Sequence, residues 1–130
     1  MTSVVLDASA AVEIVLDTAR GLALASRIGA AGDVVVPDHF FAEVGASLRR
    51  MENHGDLSAD RAALAVYRIR SLRVLRASTR DLLPVAWDLR RNLTIADGLY
   101  VALARHLDVA LVTADERLSR APALGVQVIT

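Results

Sequence analysis

The chain has 130 residues, 54% hydrophobic and 23% charged, which suits one well-cored globular domain over residues 1–130 and not a disordered chain. Fifteen arginines balance 15 acids to a net charge of zero, and the chain has neither lysine nor cysteine. Without lysine, P-loop kinase, Schiff-base, receiver-domain and haloacid-type phosphatase chemistry are excluded. Without cysteine, so are thiol catalysis, cysteine–zinc sites and disulfides, and a reducing cytosol is the fitting compartment.

Val4-Val5-Leu6 is a short continuous apolar run, as in a strand buried on both faces, and Asp7 ends it. Helices are expected over Ala8–Leu16 and Thr18–Ala31, the second closed by Gly29 and Gly32. Asp33–Pro37 reads as a second buried strand. Asp38 is the expected N-cap of the next helix, on which Phe40, Val44, Leu48 and Met51 recur at helical spacing as far as Gly55. Ser58 is expected to cap a helix over Ala59–Leu72, and Val74-Leu75 a short strand. Thr79–Arg91 is expected to be helical, with Pro84 arguing for a late start or a kink. A helix opened by Thr94 runs to His106, followed by a strand at Val109–Val112, a short helix to Arg120 and a last strand over Val126–Ile129.

Alternating strands and helices of this kind predict an α/β fold, a central parallel sheet of four to five strands with helices on both faces. The start, Met1-Thr2-Ser3, has no basic leader, so no signal peptide is expected. The longest uncharged stretch is residues 121–130, shorter than the roughly 18 residues a bilayer needs. A soluble cytoplasmic protein without membrane contact is the expectation. Charge is unevenly spread. Residues 1–60 hold four arginines against nine acids (−5), residues 61–91 eight against two (+6), and residues 92–130 three against four (−1), which suggests separate surfaces for cations and anions.

Four acids stand out by placement: Asp7, Glu43, Asp97 and Asp115. Each has a plain structural reading. Asp7 and Asp115 follow strands and precede helices, as N-caps do. Asp97 stands three residues after Thr94, as in a capping box. Glu43 sits at the edge of an apolar stripe. Together they say more, because all four lie in apolar surroundings: VVLDAS, FFAEVG, TIADGLYVALA and ALVTAD. Parallel sheets bind ligands beyond the carboxyl ends of their strands, where Asp7 and Asp115 stand. Gathered carboxylates need a cation. An oxygen-only ligand set suits Mg²⁺ or Mn²⁺, whose chemistry at a phosphodiester is to activate a water and neutralise the leaving oxygen.

The ordered set V-V-L-D-A-S, F-A-E-V, T-I-A-D-G-L-Y-V-A-L-A and L-V-T-A-D-E-R-L resembles the PIN-domain superfamily, and within it the VapC-type toxins of type II toxin–antitoxin pairs. The resemblance covers nearly the whole chain. It implies a PIN-like fold and a Mg²⁺- or Mn²⁺-dependent endoribonuclease with Asp7, Glu43, Asp97 and Asp115 as catalytic metal ligands and Ser9 and Thr113 in support. It also implies cleavage of tRNA or rRNA to a 5′-phosphate and a 3′-hydroxyl, a homodimer, and a small cognate antitoxin as partner. The position before the third acid, often aromatic in such toxins, is Ala96.

His39 lies four residues before Glu43 and shares its helix face, although histidine is unusual among hard oxygen ligands. His54 and His106 read as helix ends, so no Ser/His/Asp triad is indicated. Arg68, Arg70, Arg73, Arg76 and Arg80 form either an RNA phosphate track or a solvated, internally paired face. Five aromatics are too few for a base-stacking platform, and Phe40 and Phe41 suit core or dimer interface. Two alternatives stand beside the ribonuclease: a DNA-acting phosphoesterase on the same kind of sheet, and a non-catalytic PIN-like interaction module whose acids are only caps.

Overall fold

The apolar runs pair side by side. The computed structural model describes residues 2–29, 31–121 and 124–130, and among them five strands form one sheet. In chain order the elements are β1 (Val4–Leu6), α1 (Ala8–Val15), α2 (Ala19–Ile28), β2 (Val34–Pro37), α3 (Phe40–Asn53), α4 (Ala59–Arg70), β3 (Leu75–Ala77), α5 (Thr79–Asp88), α6 (Ile95–Leu107), β4 (Ala110–Val112), α7 (Glu116–Arg120) and β5 (Val128–Ile129). The sheet order is β3-β2-β1-β4-β5, with every pairing parallel.

That order dictates where the helices lie. The chain steps from β1 through β2 to β3 in one direction, then jumps back across β1 to β4 and β5. Right-handed crossovers therefore put α1–α4 on one face and α5–α7 on the other. Accordingly α1 packs against α2, α3 and α4, whereas α6 packs against α5 and lies across β1, β2 and β4. The order reverses between β1 and β4, which opens a crevice beyond their carboxyl ends. Val4 is opposite Ala110 and Leu6 opposite Val112, so Asp7 and Thr113 continue that register side by side. The Asp7 amide donates to the Val112 carbonyl at 2.9 Å.

Val5, Val36, Leu111 and Val112 fill the middle of the sheet, and Phe40, Val44 and Leu48 bury the expected face of α3. Each such side chain contributes roughly 1.5–3 kcal/mol by leaving water. Helix α6 is buried over the run Gly98–Ala104, as befits a helix lying across three strands. Two glycines permit the closest helix approaches. A Cβ at Gly21 would sit 2.0 Å from the Glu13 carbonyl oxygen, and one at Gly98 would sit 3.2 Å from Ala86.

Several expected boundaries shift. Helix α2 is shorter than expected, because Thr18 caps it from outside by accepting from the Gly21 amide and the helix ends at Ile28; the expected continuation over Ala30 falls outside the described residues. Asp38 is not the N-cap of α3. His39 holds that position, with helical backbone angles and no side-chain cap bond. Helix α5 starts at Thr79 under a Ser78 cap with Pro84 inside it, so no late start occurs, and it ends at Asp88 instead of Arg91. Strand β3 is Leu75–Ala77 and not Val74-Leu75, because its pairing partners are Val35, Val36 and Pro37. Strand β5 keeps only Val128-Ile129.

Candidate active site

Asp7 holds the N-cap position of α1, yet its side chain makes no cap bond. It turns to the neighbouring strand end. Thr113 Oγ1 donates to Asp7 Oδ2 at 2.6 Å and Ser9 Oγ donates to the same oxygen at 2.8 Å. Both hydroxyls are fixed by the turn after β4, since Thr113 Oγ1 accepts from the Asp115 amide at 3.0 Å and Ser9 Oγ from the Ala114 amide at 3.0 Å. Asp7 is buried, which pushes its pKa up. The two hydroxyls pull against that shift and the Glu43 charge adds to it.

Asp97 stands in the first turn of α6, where Thr94 Oγ1 accepts from its amide at 3.1 Å. That is the donor half of the expected capping box. Its carboxyl pKa is also raised, first by burial and then by the charges of Asp7, Asp115 and Glu43, with the Thr94 hydroxyl opposing. Asp97 therefore feels all three of the other acids singled out in the sequence.

Glu43 faces His39 one helical turn earlier, with His39 Nε2 3.2 Å from Glu43 Oε1. The same nitrogen lies 3.0 Å from the Ala96 carbonyl oxygen, and the imidazole leans on the Tyr100 ring at 4.8 Å between centroids. Burial would lower the His39 pKa, but the bond and charge of Glu43 outweigh it and the net shift is upward. Burial would likewise raise Glu43, yet His39, Tyr100 and the Arg50 charge together hold it below its usual range. The buried Tyr100 hydroxyl faces Glu43 but completes no hydrogen bond, and His39 Nδ1 is also without one. Burial, then the Glu43 charge, raises the Tyr100 pKa strongly, so the phenol stays protonated.

Asp115 keeps its structural role. Its Oδ1 accepts from the Arg117 amide at 2.9 Å and caps α7. The Arg117 guanidinium adds Nε to Oδ1 at 3.1 Å and Nη2 to Oδ2 at 2.7 Å. These bonds from Arg117 lower the Asp115 pKa, in contrast to Asp7 and Asp97. A groove of about 410 Å³, lined by Ser9, Ser47, Met51, Asp115 and Arg117 among others, opens beside this end of the sheet.

Asp97 thus lies within electrostatic reach of Asp7, Glu43 and Asp115, each supplied by a different element, and Asp7 within reach of Glu43. As the side chains stand, no three His, Asp or Glu among the described residues are gathered so as to hold a metal ion. Glu43 is paired with His39 and Asp115 with Arg117. In chemistry the set suits a hard divalent ion, because Asp7 and Asp97 are pushed toward the protonated form first by burial and then by neighbouring acids, Glu43 on Asp7 and Asp7, Asp115 and Glu43 on Asp97, whose charge a cation would neutralise. Tyr100 and Arg117 are the participants that the sequence alone did not single out. Their only signals are spacing: Tyr100 one helical turn after Asp97, Arg117 two residues after Asp115.

Arg68 is internally paired, donating to Asp17 Oδ2 at 2.8 Å and to the Val15 carbonyl at 2.9 Å. Arg70, Arg73, Arg76 and Arg80 are exposed. Phe40 is buried and Phe41 packs edge-on against it at 5.1 Å. No helix among the described residues is long and apolar enough to cross a membrane.

The PIN domain family matches residues 4–124. The chain is 41% identical over 118 residues to ribonuclease VapC12 of Mycobacterium tuberculosis, covering 90% of each chain. Among solved structures it is similar to Mycobacterium tuberculosis VapC20, a sarcin–ricin loop cleaving toxin, with a TM-score of 0.64, 21% identity and 90% and 93% of the two chains covered. It is also similar to VapBC2 of Rickettsia felis bound to a promoter DNA fragment, with a TM-score of 0.66, 11% identity and 98% and 97% covered. The strand order, the four separately supplied acids and these matches converge: the chain belongs to the PIN-domain family, alongside its VapC-type members.

Proposed function

We propose that the chain is a divalent-cation-dependent endoribonuclease and the toxin half of a toxin–antitoxin pair. The observation that carries this reading is Asp97, a half-buried carboxyl in the first turn of α6 whose pKa is raised first by burial and then by the charges of Asp7, Asp115 and Glu43. Acids from three other elements acting on Asp97, with Asp7 at the end of a parallel strand, suit a cation and an anionic substrate. The ribonuclease name of the VapC12 relative supports RNA as the substrate. The Rickettsia felis neighbour, a VapBC assembly, supports an antitoxin partner.

Asp7, Glu43, Asp97 and Asp115 would hold Mg²⁺ or Mn²⁺. When bound, such an ion neutralises charge at the phosphodiester and activates water for attack. Ser9 and Thr113 fix the Asp7 carboxylate, so that its orientation is set by the β4–α7 turn. His39 fixes Glu43 and, through the Ala96 carbonyl, ties α3 to the start of α6. Exposed Arg70, Arg73, Arg76 and Arg80 supply positive charge for RNA phosphates, tRNA or rRNA being the expected class. A groove of about 530 Å³ between α3 and α4, with Phe41, Leu48, Val66 and Ile69 in its wall, gives an antitoxin segment apolar surface to cover. A homodimer completes the proposal.

The test is cleavage of total cellular RNA and of matched single-stranded RNA and DNA, with Mg²⁺, with Mn²⁺ and with chelator. The reading predicts RNA cleavage that needs the ion and is lost in Asp97→Asn. Cleavage of DNA in preference to RNA, or cleavage unchanged by chelator, contradicts it.

A further inference from the structure

Asp115 is the one of the four acids whose oxygens are all committed. Both accept from a single residue, Arg117, through its amide, Nε and Nη2. Asp7, by contrast, holds only neutral hydroxyls, and Glu43 is paired with a titratable imidazole. Arg117 lines the groove at this end of the sheet together with Ser9, Ala114 and Asp115. Its side chain is 80% exposed, so it is held there by Asp115 and not by packing.

We infer that Arg117 is a resident counter-cation, which occupies the Asp115 carboxylate in the metal-free protein and must release it before Asp115 takes part in holding a divalent ion. The inference rests on the proposed metal-binding role of the four acids and adds a competitor from within the chain. An arginine fork matches a carboxylate with two parallel bonds. A divalent ion needs one of those same oxygens, so the two are alternatives at Asp115. The cap on α7 does not depend on the guanidinium, because it is the Arg117 backbone amide that donates to Asp115 Oδ1. Arg117 thereby sets the ion concentration at which the site fills, and is a positioning residue, not a catalytic one.

The experiment is a Mn²⁺ titration of the metal-free protein followed by calorimetry, comparing wild type with Arg117→Gln and Arg120→Gln. Arg120 is the control, because its charge also acts on Asp115 while it makes no bond to it. Exposed ion pairs are weak, so Arg117→Gln is expected to tighten Mn²⁺ binding by about two- to fivefold. Arg120→Gln is expected to change it less. In wild type, the Arg117 Nε–H resonance is expected to move when Mg²⁺ saturates the site. Equal tightening in the two variants, no tightening in Arg117→Gln, or a resonance unmoved by bound Mg²⁺ overturns the inference while leaving the metal site standing. Absence of Mn²⁺ binding to wild type overturns both.

Discussion

Thr113 Oγ1 donates to Asp7 Oδ2 at 2.6 Å across 106 residues of chain, tying the ends of β4 and β1 together at the point where the sheet order reverses. The bond is buried, and Thr113 is fully so. It converts strand register into the orientation of a carboxylate.

Thr113→Val keeps the shape and removes the hydroxyl. Asp7 then loses its shortest donor and the Asp115 amide its acceptor. A destabilisation of about 1–3 kcal/mol is expected, the usual cost of leaving buried polar groups unpaired. Thr113→Ser should recover most of it. Urea denaturation measures this, and a Val variant as stable as wild type would mean that the bond holds nothing.

Tyr100→Phe tests the phenol beside Glu43. It removes a hydroxyl that completes no hydrogen bond yet helps hold the Glu43 carboxyl below its usual range, and it leaves the ring that supports His39. Global stability should change by no more than about 1 kcal/mol, while the Glu43 titration moves upward. An unmoved Glu43 titration would show that the phenol does not act on it.

Asp97 and His39, both raised, favour the folded state at lower pH, whereas Glu43, lowered, favours it at higher pH. Asp97 has a folded pKa above its ordinary 3.8, so its charge costs stability at neutral pH and the cost is withdrawn as pH falls through the folded value. In metal-free protein, Asp97→Asn should therefore raise the melting temperature at pH 7 and lose that advantage near pH 4. His39 is raised from 6.5 and Glu43 lowered from 4.5. The stability each contributes is complete below 6.5 for His39 and above 4.5 for Glu43, so both are complete between those values. The His39 share fades as pH rises through its folded value, and the Glu43 share as pH falls through its own. His39→Gln should accordingly destabilise most between pH 4.5 and 6.5. Flat profiles for both variants from pH 4 to 8 would contradict these shifts.

Gly21→Ala tests the helix layer behind the site. The added Cβ would fall 2.0 Å from backbone oxygen of Glu13, which no side-chain rotation relieves. Helix α2 must move off α1, at a cost of about 2–4 kcal/mol. A melting temperature within a degree of wild type would show that the two helices separate freely.

Much of this was legible in the chain itself, for identifiable reasons. Asp7 directly follows an apolar strand and Asp115 lies just past another, and parallel order alone places such residues at the ligand-binding edge. His39 and Glu43 share a helix face by spacing. The partners were not legible. Nothing local distinguishes Tyr100 from the apolar run around it, and its position under His39 comes from how α6 crosses the sheet. Asp115 reads as a cap because it is one, and the cap conceals the guanidinium that comes with it. Asp38 misled because its residue type favours caps, whereas the chain leaves β2 through a turn that gives the position to His39.

The most direct measurement of the central claim is Mn²⁺ binding by calorimetry to metal-free wild type and to Asp97→Asn, the one acid that feels the other three. Saturable binding by wild type, weakened at least tenfold by the substitution, is the predicted result. Equal Mn²⁺ uptake by both proteins would mean that these carboxylates do not act together on an ion, and would contradict the account.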